Sequence, residues 1–398
     1  MTPFERLDCD IQPYAWGQSD AISTLVGKPP SGEPEAELWM GAHPKAPSRL
    51  RDGRTLLEAI EAEPGNFLGA EVDERFGQLP FLFKLLAAAI PLSIQAHPDL
   101  DRAIAGFARE NELGIAIDAP ERTYRDPNHK PELICALTPF EAKCGFRSLE
   151  ATCRLFDALD DGRLAEVRSL LSADNDDATR LRSVMSFLLG LGAETAAAMA
   201  DAVAERAADL LRQRHPIAGE FGPDLAACAQ VAAAFPGDIG GVVALLLNHV
   251  VLAPGEALYL GSGNLHAYLQ GVGVELMANS DNVLRGGLTP KHIDIDELLS
   301  VVDYRPIDVP VQRPSGPIHT YDSPVAEFSL TRVELSAEAF LVDGPAIVFV
   351  TQGSASLGGS PLEVGVPAFV PASSGPIPLT GSGLAWGAGV GASVATVR

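Results

Sequence analysis

Between Ser148 and about Leu247 the chain changes from short, broken apolar runs to long stretches of alanine and leucine, and this change limits its possible folds more than any other feature. Thr195 to Arg214 has neither glycine nor proline and carries Ala, Leu and Val at helical spacing. Glu194 ahead of it, and Arg212 and Arg214 at its close, suit the two poles of a helix dipole. The block reads as an insertion of several helices. Before it, apolar runs alternate with breaks such as Pro29-Pro30-Ser31-Gly32 and Glu63-Pro64-Gly65, with helical periodicity only at Leu56–Ala62 and Asp101–Arg109. After it, Val251 to Leu260 holds two short runs divided by a Pro-Gly turn. From Tyr321 onward glycine-rich turns separate strand-like runs, among them Ala346–Val350, Ser354–Leu357 and Ala368–Val370, a spacing that suits a sandwich or barrel. The expected fold is mainly β with a helical insertion.

At 398 residues the chain has length for two or three domains. Its 46% hydrophobic and 20% charged content is that of a globular protein. A net charge of −23 argues against nucleic acid or an anionic membrane as partner, while leaving room for a small anionic ligand at a local cation cluster. The most apolar run, from Leu79, is interrupted by Lys84 and Pro91, so no membrane span is expected. Five cysteines without paired spacing suggest free thiols and a cytoplasmic location, and no secretory leader is recognisable at Met1–Gly17. Only six lysines accompany 23 arginines: Lys28, Lys45, Lys84, Lys130, Lys143 and Lys291. Three of the six lie close to the motifs below, as expected where a compact ammonium is needed.

Three segments hold potential metal ligands. Gln95-Ala96-His97-Pro98 closes an apolar run, and residues i and i+2 of a strand share a face. His129-Lys130-Pro131-Glu132 puts a carboxylate at the entrance to the apolar Leu133–Leu137. Gly261-Ser262-Gly263-Asn264-Leu265-His266-Ala267-Tyr268 delivers a histidine from a glycine loop that follows an expected hairpin. Singly, each has an ordinary explanation in a hydrogen-bonded loop histidine or a charged strand end. Together Gln95, His97, Glu132 and His266 form a plausible zinc shell with no thiolate, the pattern of a catalytic site, although iron(II) or manganese would accept the same set. A fourth segment, Glu275 to Lys291, carries Glu, Asp, Arg and Lys among loop formers; Arg285 and Lys291 suit an anion cradle, or a solvated loop.

These segments, with Tyr14-Ala15-Trp16-Gly17, the run Ala36 to Pro44 and Asn279 to Gly287, resemble the type I phosphomannose isomerases over about residues 3–300, in the same order and with a helical insertion. The resemblance implies two cupin-like jelly-roll β domains plus an all-α domain. The boundaries are then 1–148 with 248–312 for the catalytic cupin, 149–247 for the insertion and 313–398 for a second cupin-like unit. It implies one zinc per chain, held by Gln95, His97, Glu132 and His266, and interconversion of mannose 6-phosphate and fructose 6-phosphate. Within that reading Lys130 is the candidate acid/base, beside Arg285 as electrostatic partner to the enediolate, with Asp281 as a rival or a helper in ring opening. Lys84, Ser93 and Lys291 are expected to receive the phosphate, while Trp16, Glu37, Tyr268 and Glu275 shape the pocket. The partner is thus a small sugar phosphate, and a monomer is expected. Two alternatives are another metal-dependent cupin enzyme and a sugar-phosphate-binding cupin without catalysis. The first has no use for a phosphate cradle, and the second predicts loss of a ligand or of the Lys130/Arg285 pair.

Overall fold

A computed structural model describes residues 3–160, 162–336 and 338–391. Two antiparallel sheets carry the fold. The first is built from β1 (Glu37–Gly41), β2 (Phe81–Ala88), β3 (Gln95–Ala96), β4 (Glu132–Ala136), β5 (Phe140–Phe146), β6 (Leu247–Leu252), β7 (Ala257–Leu260), β8 (His266–Ala278) and β9 (Leu284–Arg285), with a short strand at Ile11–Gln12. The second contains β10 (Ser329–Leu335), β11 (Ala346–Leu357), β12 (Ala368–Val370) and β13 (Ile377–Gly389), and the amino-terminal Glu5–Arg6 pairs onto β12. The amino-terminal stretch is therefore shared: these two residues, expected with the catalytic unit, extend the other sheet.

Strand β8 is the spine of the first sheet. Its early residues pair with β5 and, at His266, with Gln95 of β3. From Gly271 to Ala278 it lies against β2 on one side, and from Gly273 to Met277 against β4 on the other. The change of partners falls at Gly271, where φ is 126° and a Cβ would stand 2.8 Å from Phe140 Cα, so only glycine fits. β2 is buried on both faces. Phe81, Phe83, Leu85 and Ala87 join a core with Phe349, Ile347, Leu330 and Trp386 of the second sheet, while Leu82, Lys84 and Leu86 point the other way. Two buried faces explain why the segment reads as an unbroken apolar run.

The helical periodicities at Leu56 and Asp101 correspond to α1 (Leu56–Ala62), closed by a Thr55/Glu58 capping box, and α2 (Leu100–Glu112), capped by Asp99. The alanine-rich stretch forms α3 (Leu149–Leu159), α4 (Ala165–Leu171), α5 (Asp177–Leu189), α6 (Ala193–Arg212) and α7 (Ala218–Ala234), followed by the short helix Gly240–Val243. α6 ends before Arg214, whose φ of 52° has left the helix. Among the described residues no single helix is long and apolar enough to cross a membrane.

Two expectations need correction. The runs on either side of Pro254-Gly255 do not form a hairpin: β6 pairs with β5, and β7 pairs with β4. The turn instead carries the chain from one edge of the sheet to another. Likewise Ala346–Val350 and Ser354–Leu357 are one strand, β11, irregular between Val350 and Gln352 as it follows β13.

Candidate metal centre and substrate cavity

Two strands of the first sheet bring charged side chains, Lys84 and Glu275, side by side in one row, and a third adds Glu132 on the same face. Across β1, β2, β8 and β4 the residues Trp39, Lys84, Glu275 and Ile134 are mutual neighbours, and in the next row Leu82, Met277 and Glu132 follow. All of these but Ile134, which is buried in an apolar cluster, point away from the inter-sheet core and line a cavity of about 870 Å³. Its lining includes Trp16, Glu37, Lys84, Ser93, Gln95, Lys130, Glu132, Tyr268, Glu275, Asp281, Arg285 and Lys291. Every expected site residue except His97 and His266 therefore borders it; those two are fully buried behind Glu132.

His97, Glu132 and His266 offer ligand atoms within 4.8 Å of one another. The two imidazole Nε2 atoms lie 3.4 and 3.3 Å from Glu132 Oε2. His97 Nδ1–H donates to Asn282 O at 2.8 Å, and His266 Nδ1–H donates to Asn264 O at 3.0 Å. Both Nε2 lone pairs thus face the carboxylate. These two nitrogens and Glu132 Oε2 are buried with no hydrogen-bond partner, a costly state for three converging polar atoms. Two neutral imidazoles and a carboxylate, each ring oriented by a backbone carbonyl, fit a divalent transition metal such as zinc. Gln95 faces His266 across the ladder and lines the same cavity. The ligand stretches are tied directly, since Gly263 N–H donates to His97 O at 2.8 Å.

Electrostatics match this geometry. Burial lowers the His97 imidazole to about 4, outweighing the pull of Glu132, and so keeps it neutral. For Glu132 burial alone would raise the carboxyl, but Lys130 and the two imidazoles hold it well below the usual range. Lys130 Nζ stands 2.5 Å from Glu132 Oε1, on the oxygen that does not face the histidines.

Lys84, expected to receive the phosphate, is held in a buried ion-pair network. Its ammonium donates to Glu275 Oε2 at 3.1 Å and stands 3.5 Å from Glu37 Oε1, over the Trp39 ring. Burial would depress it, yet Glu37 and Glu275 outweigh burial and raise its pKa. Trp39 Nε1–H fixes Glu37 at 2.7 Å, and Tyr268 O–H fixes Glu275 at 2.9 Å. The lysine charge is already met by two carboxylates, which makes Lys84 a poor receiver of a phosphate dianion. Unpaired cations lie elsewhere: Arg125, Arg285 and Lys291 line the cavity and form no salt bridge among the described residues. Burial lowers Arg285, with Arg125 adding to it; burial lowers Lys291, with Arg285, Arg125 and Lys45 adding. Such mutual repulsion is relieved by an anion.

Sequence reasoning passed over Arg125, His43, Lys45 and Trp39, all in the cavity wall. Lys45 pairs with Asp281 at 2.8 Å, and four of the six lysines reach this cavity, so lysine scarcity was a usable signal. Arg125 sits in the stretch Tyr124–Asn128, which is held by Asn282. The Asn282 amide accepts from Arg125 N–H at 2.7 Å and donates to Asp126 O and Asn128 O at 2.8 Å each.

The model of the type I phosphomannose isomerase catalytic domain matches residues 4–149. The chain is 40% identical over 394 residues to the mannose-6-phosphate isomerase of Escherichia coli (strain K12), covering 95% of this chain and 97% of that one. It is 32% identical over 411 residues to the human mannose-6-phosphate isomerase, covering 95% and 92%. A zinc-bound crystal structure of a mannose 6-phosphate isomerase superposes with a TM-score of 0.88 at 38% identity, covering 98% of this chain and all of that one. An apo form from Salmonella typhimurium does so equally, with the same TM-score, identity and coverage. With relatives this similar along nearly the whole chain, the protein belongs to the type I phosphomannose isomerase family.

Proposed function

We infer that the cavity is the active site of a zinc-dependent isomerase that interconverts mannose 6-phosphate and fructose 6-phosphate. The observation that carries this is the convergence of three unpartnered buried ligand atoms beside a cavity with unpaired cations in its wall. In this reading His97, Glu132, His266 and Gln95 hold zinc. Bound there, zinc supplies Lewis acidity toward the oxygens of the reacting carbons. Lys130 moves the proton between C2 and C1, a role supported by its place at the cavity wall against Glu132. Arg285 stabilises the enediolate from the side and, with Arg125 and Lys291, receives the phosphate. Asp281, fixed by Lys45, faces the sugar and suits ring opening, and Ser93 and Trp16 line the same space. The Glu37–Lys84–Glu275–Tyr268 chain offers buried, oriented groups to the sugar hydroxyls.

The three-part division of the chain, with Glu5–Arg6 reassigned to the second β unit, is part of the same proposal, as is a monomer in the cytoplasm; buried free thiols support a reducing compartment. The test is a coupled assay of purified protein with mannose 6-phosphate before and after chelation. Turnover lost on chelation and restored by zinc is expected. Undiminished turnover after full zinc removal refutes the metal's role.

A further inference from the structure

Between Arg285 and Lys291 the backbone turns through Gly286-Gly287-Leu288. Leu288 has φ of 56°, a left-handed conformation that a bulky side chain adopts only under compulsion. Two sets of contacts enforce it. On the sheet side Gly286 N–H donates to Ile94 O at 2.8 Å, and Ile94 N–H donates to Gly287 O at 3.1 Å. On the other side stands the end of the helical insertion. One oxygen of Asp238 accepts from Leu288 N–H at 2.8 Å, and the other accepts from Gly240 N–H at 2.8 Å. The two backbones touch: a Cβ on Gly287 would lie 2.6 Å from Gly240 Cα, and one on Gly240 would lie 2.9 Å from Gly287 Cα and Leu288 N. The Leu288 side chain is buried in the core that the insertion helices build.

We propose that the helical insertion is a positioning device for the phosphate-binding cations, with Asp238 and Gly240 clamping the turn that aims Arg285 and Lys291 into the cavity. Asp238 does not line the cavity, so it acts through the turn and not on the ligand. The proposal rests on the reading that Arg285 and Lys291 receive the phosphate. It gives the insertion, which supplies no metal ligand candidate among its described residues, a part in substrate recognition.

The test uses the full-length zinc-loaded protein. Three variants are compared: Asp238→Ala, Gly240→Ala, and the control Gly241→Ala, whose Cβ would meet only Val231 Cγ1 at 3.4 Å. For Asp238→Ala and Gly240→Ala, KM for mannose 6-phosphate and the dissociation constant of inorganic phosphate are expected to rise about tenfold, the order of one lost charge-assisted hydrogen bond. Zinc content stays as in the parent, any fall in kcat accompanies the rise in KM because Arg285 also serves the enediolate, and Gly241→Ala changes neither KM nor the phosphate dissociation constant. Asp238→Asn, which keeps an acceptor for Leu288 N–H, recovers most of the loss. A fall in kcat with KM unchanged marks a merely structural role and overturns the proposal. So does a lowered KM, the sign expected if the Asp238 charge only repelled phosphate. Lys291→Ala separates the two layers. If it weakens phosphate binding while the Asp238 and Gly240 variants do not, the clamp alone is refuted. If it leaves phosphate binding unchanged, the phosphate reading falls and takes the clamp with it.

Discussion

Replacing Lys84 by methionine, of similar length and volume, separates charge from packing at the cavity wall. The variant leaves Glu37 and Glu275 buried without their cation. Breaking a buried pair from one side costs about 3–5 kcal/mol, and the low end applies here because the group borders a water-accessible cavity. At about 2.1 cal/mol/K per residue, the unfolding entropy of the 398-residue chain is about 0.8 kcal/mol/K, so Tm falls by about 4 °C at neutral pH. The loss carries a pH signature. Burial already lifts the Glu275 carboxyl above its ordinary 4.5, against the pull of Lys84, and removing the ammonium lifts it further. A carboxyl raised in the folded state contributes its stability below the unfolded value and loses it as pH rises through the folded one. The gap in Tm between parent and variant is therefore widest at neutral pH and narrows as pH falls toward 4.5. Adding Glu275→Gln removes one of the two stranded charges and restores about half the loss at neutral pH. Scanning calorimetry across that range is the assay. A gap that does not change with pH, or a double variant no more stable than Lys84→Met, refutes the reasoning.

Removing one ligand, by Glu132→Ala or His266→Ala, is expected to abolish both zinc content and turnover, as read by metal analysis and the coupled assay. Lys130→Ala is expected to retain zinc and to lose turnover by about 10²–10⁴-fold; near-normal turnover moves the acid/base role to another group. Ligation by His97 needs a neutral imidazole, and burial holds that ring down to about 4, so in the zinc-free protein His97 should stay neutral through neutrality and protonate only as pH nears that value. An NMR titration of the His97 ring, assigned by comparison with His97→Ala, checks this, and protonation of that ring already near about 6.5, an ordinary imidazole value, contradicts it.

The alternation of β, α and β character was legible because composition and periodicity report local structure. The grouping of His97, Glu132 and His266 was legible because each lies in a short motif whose residue types have few other uses in combination. The ion pairs of Lys84 were not legible, for a physical reason. Its neighbours in the sheet, Trp39 and Glu275, come from strands 45 residues before and 191 residues after it, and nothing local announces two carboxylates beside the ammonium. The failed hairpin at Pro254-Gly255 has a similar origin, since a turn signal shows where the chain bends and not which strands then pair. Asn282 was invisible as a hub. Its side chain and carbonyl join Arg125, Asp126, Asn128 and His97, contacts that exist only after three distant segments meet.

The two faces of β2 have a consequence for what counts as catalytic in this chain. One face presents Lys84 to the cavity, and the opposite face presents Phe83 edge-on to Phe349 of the carboxy-terminal sheet. Glu327, just ahead of that sheet's β10, also holds His129 at 2.8 Å, next to Lys130. The border between chemistry and support therefore runs through the thickness of one sheet and not at any point along the sequence. A truncation that ends just after Lys291 would leave a complete list of site residues and no wall to stand them on, exposing Phe81, Phe83 and Leu85 to water.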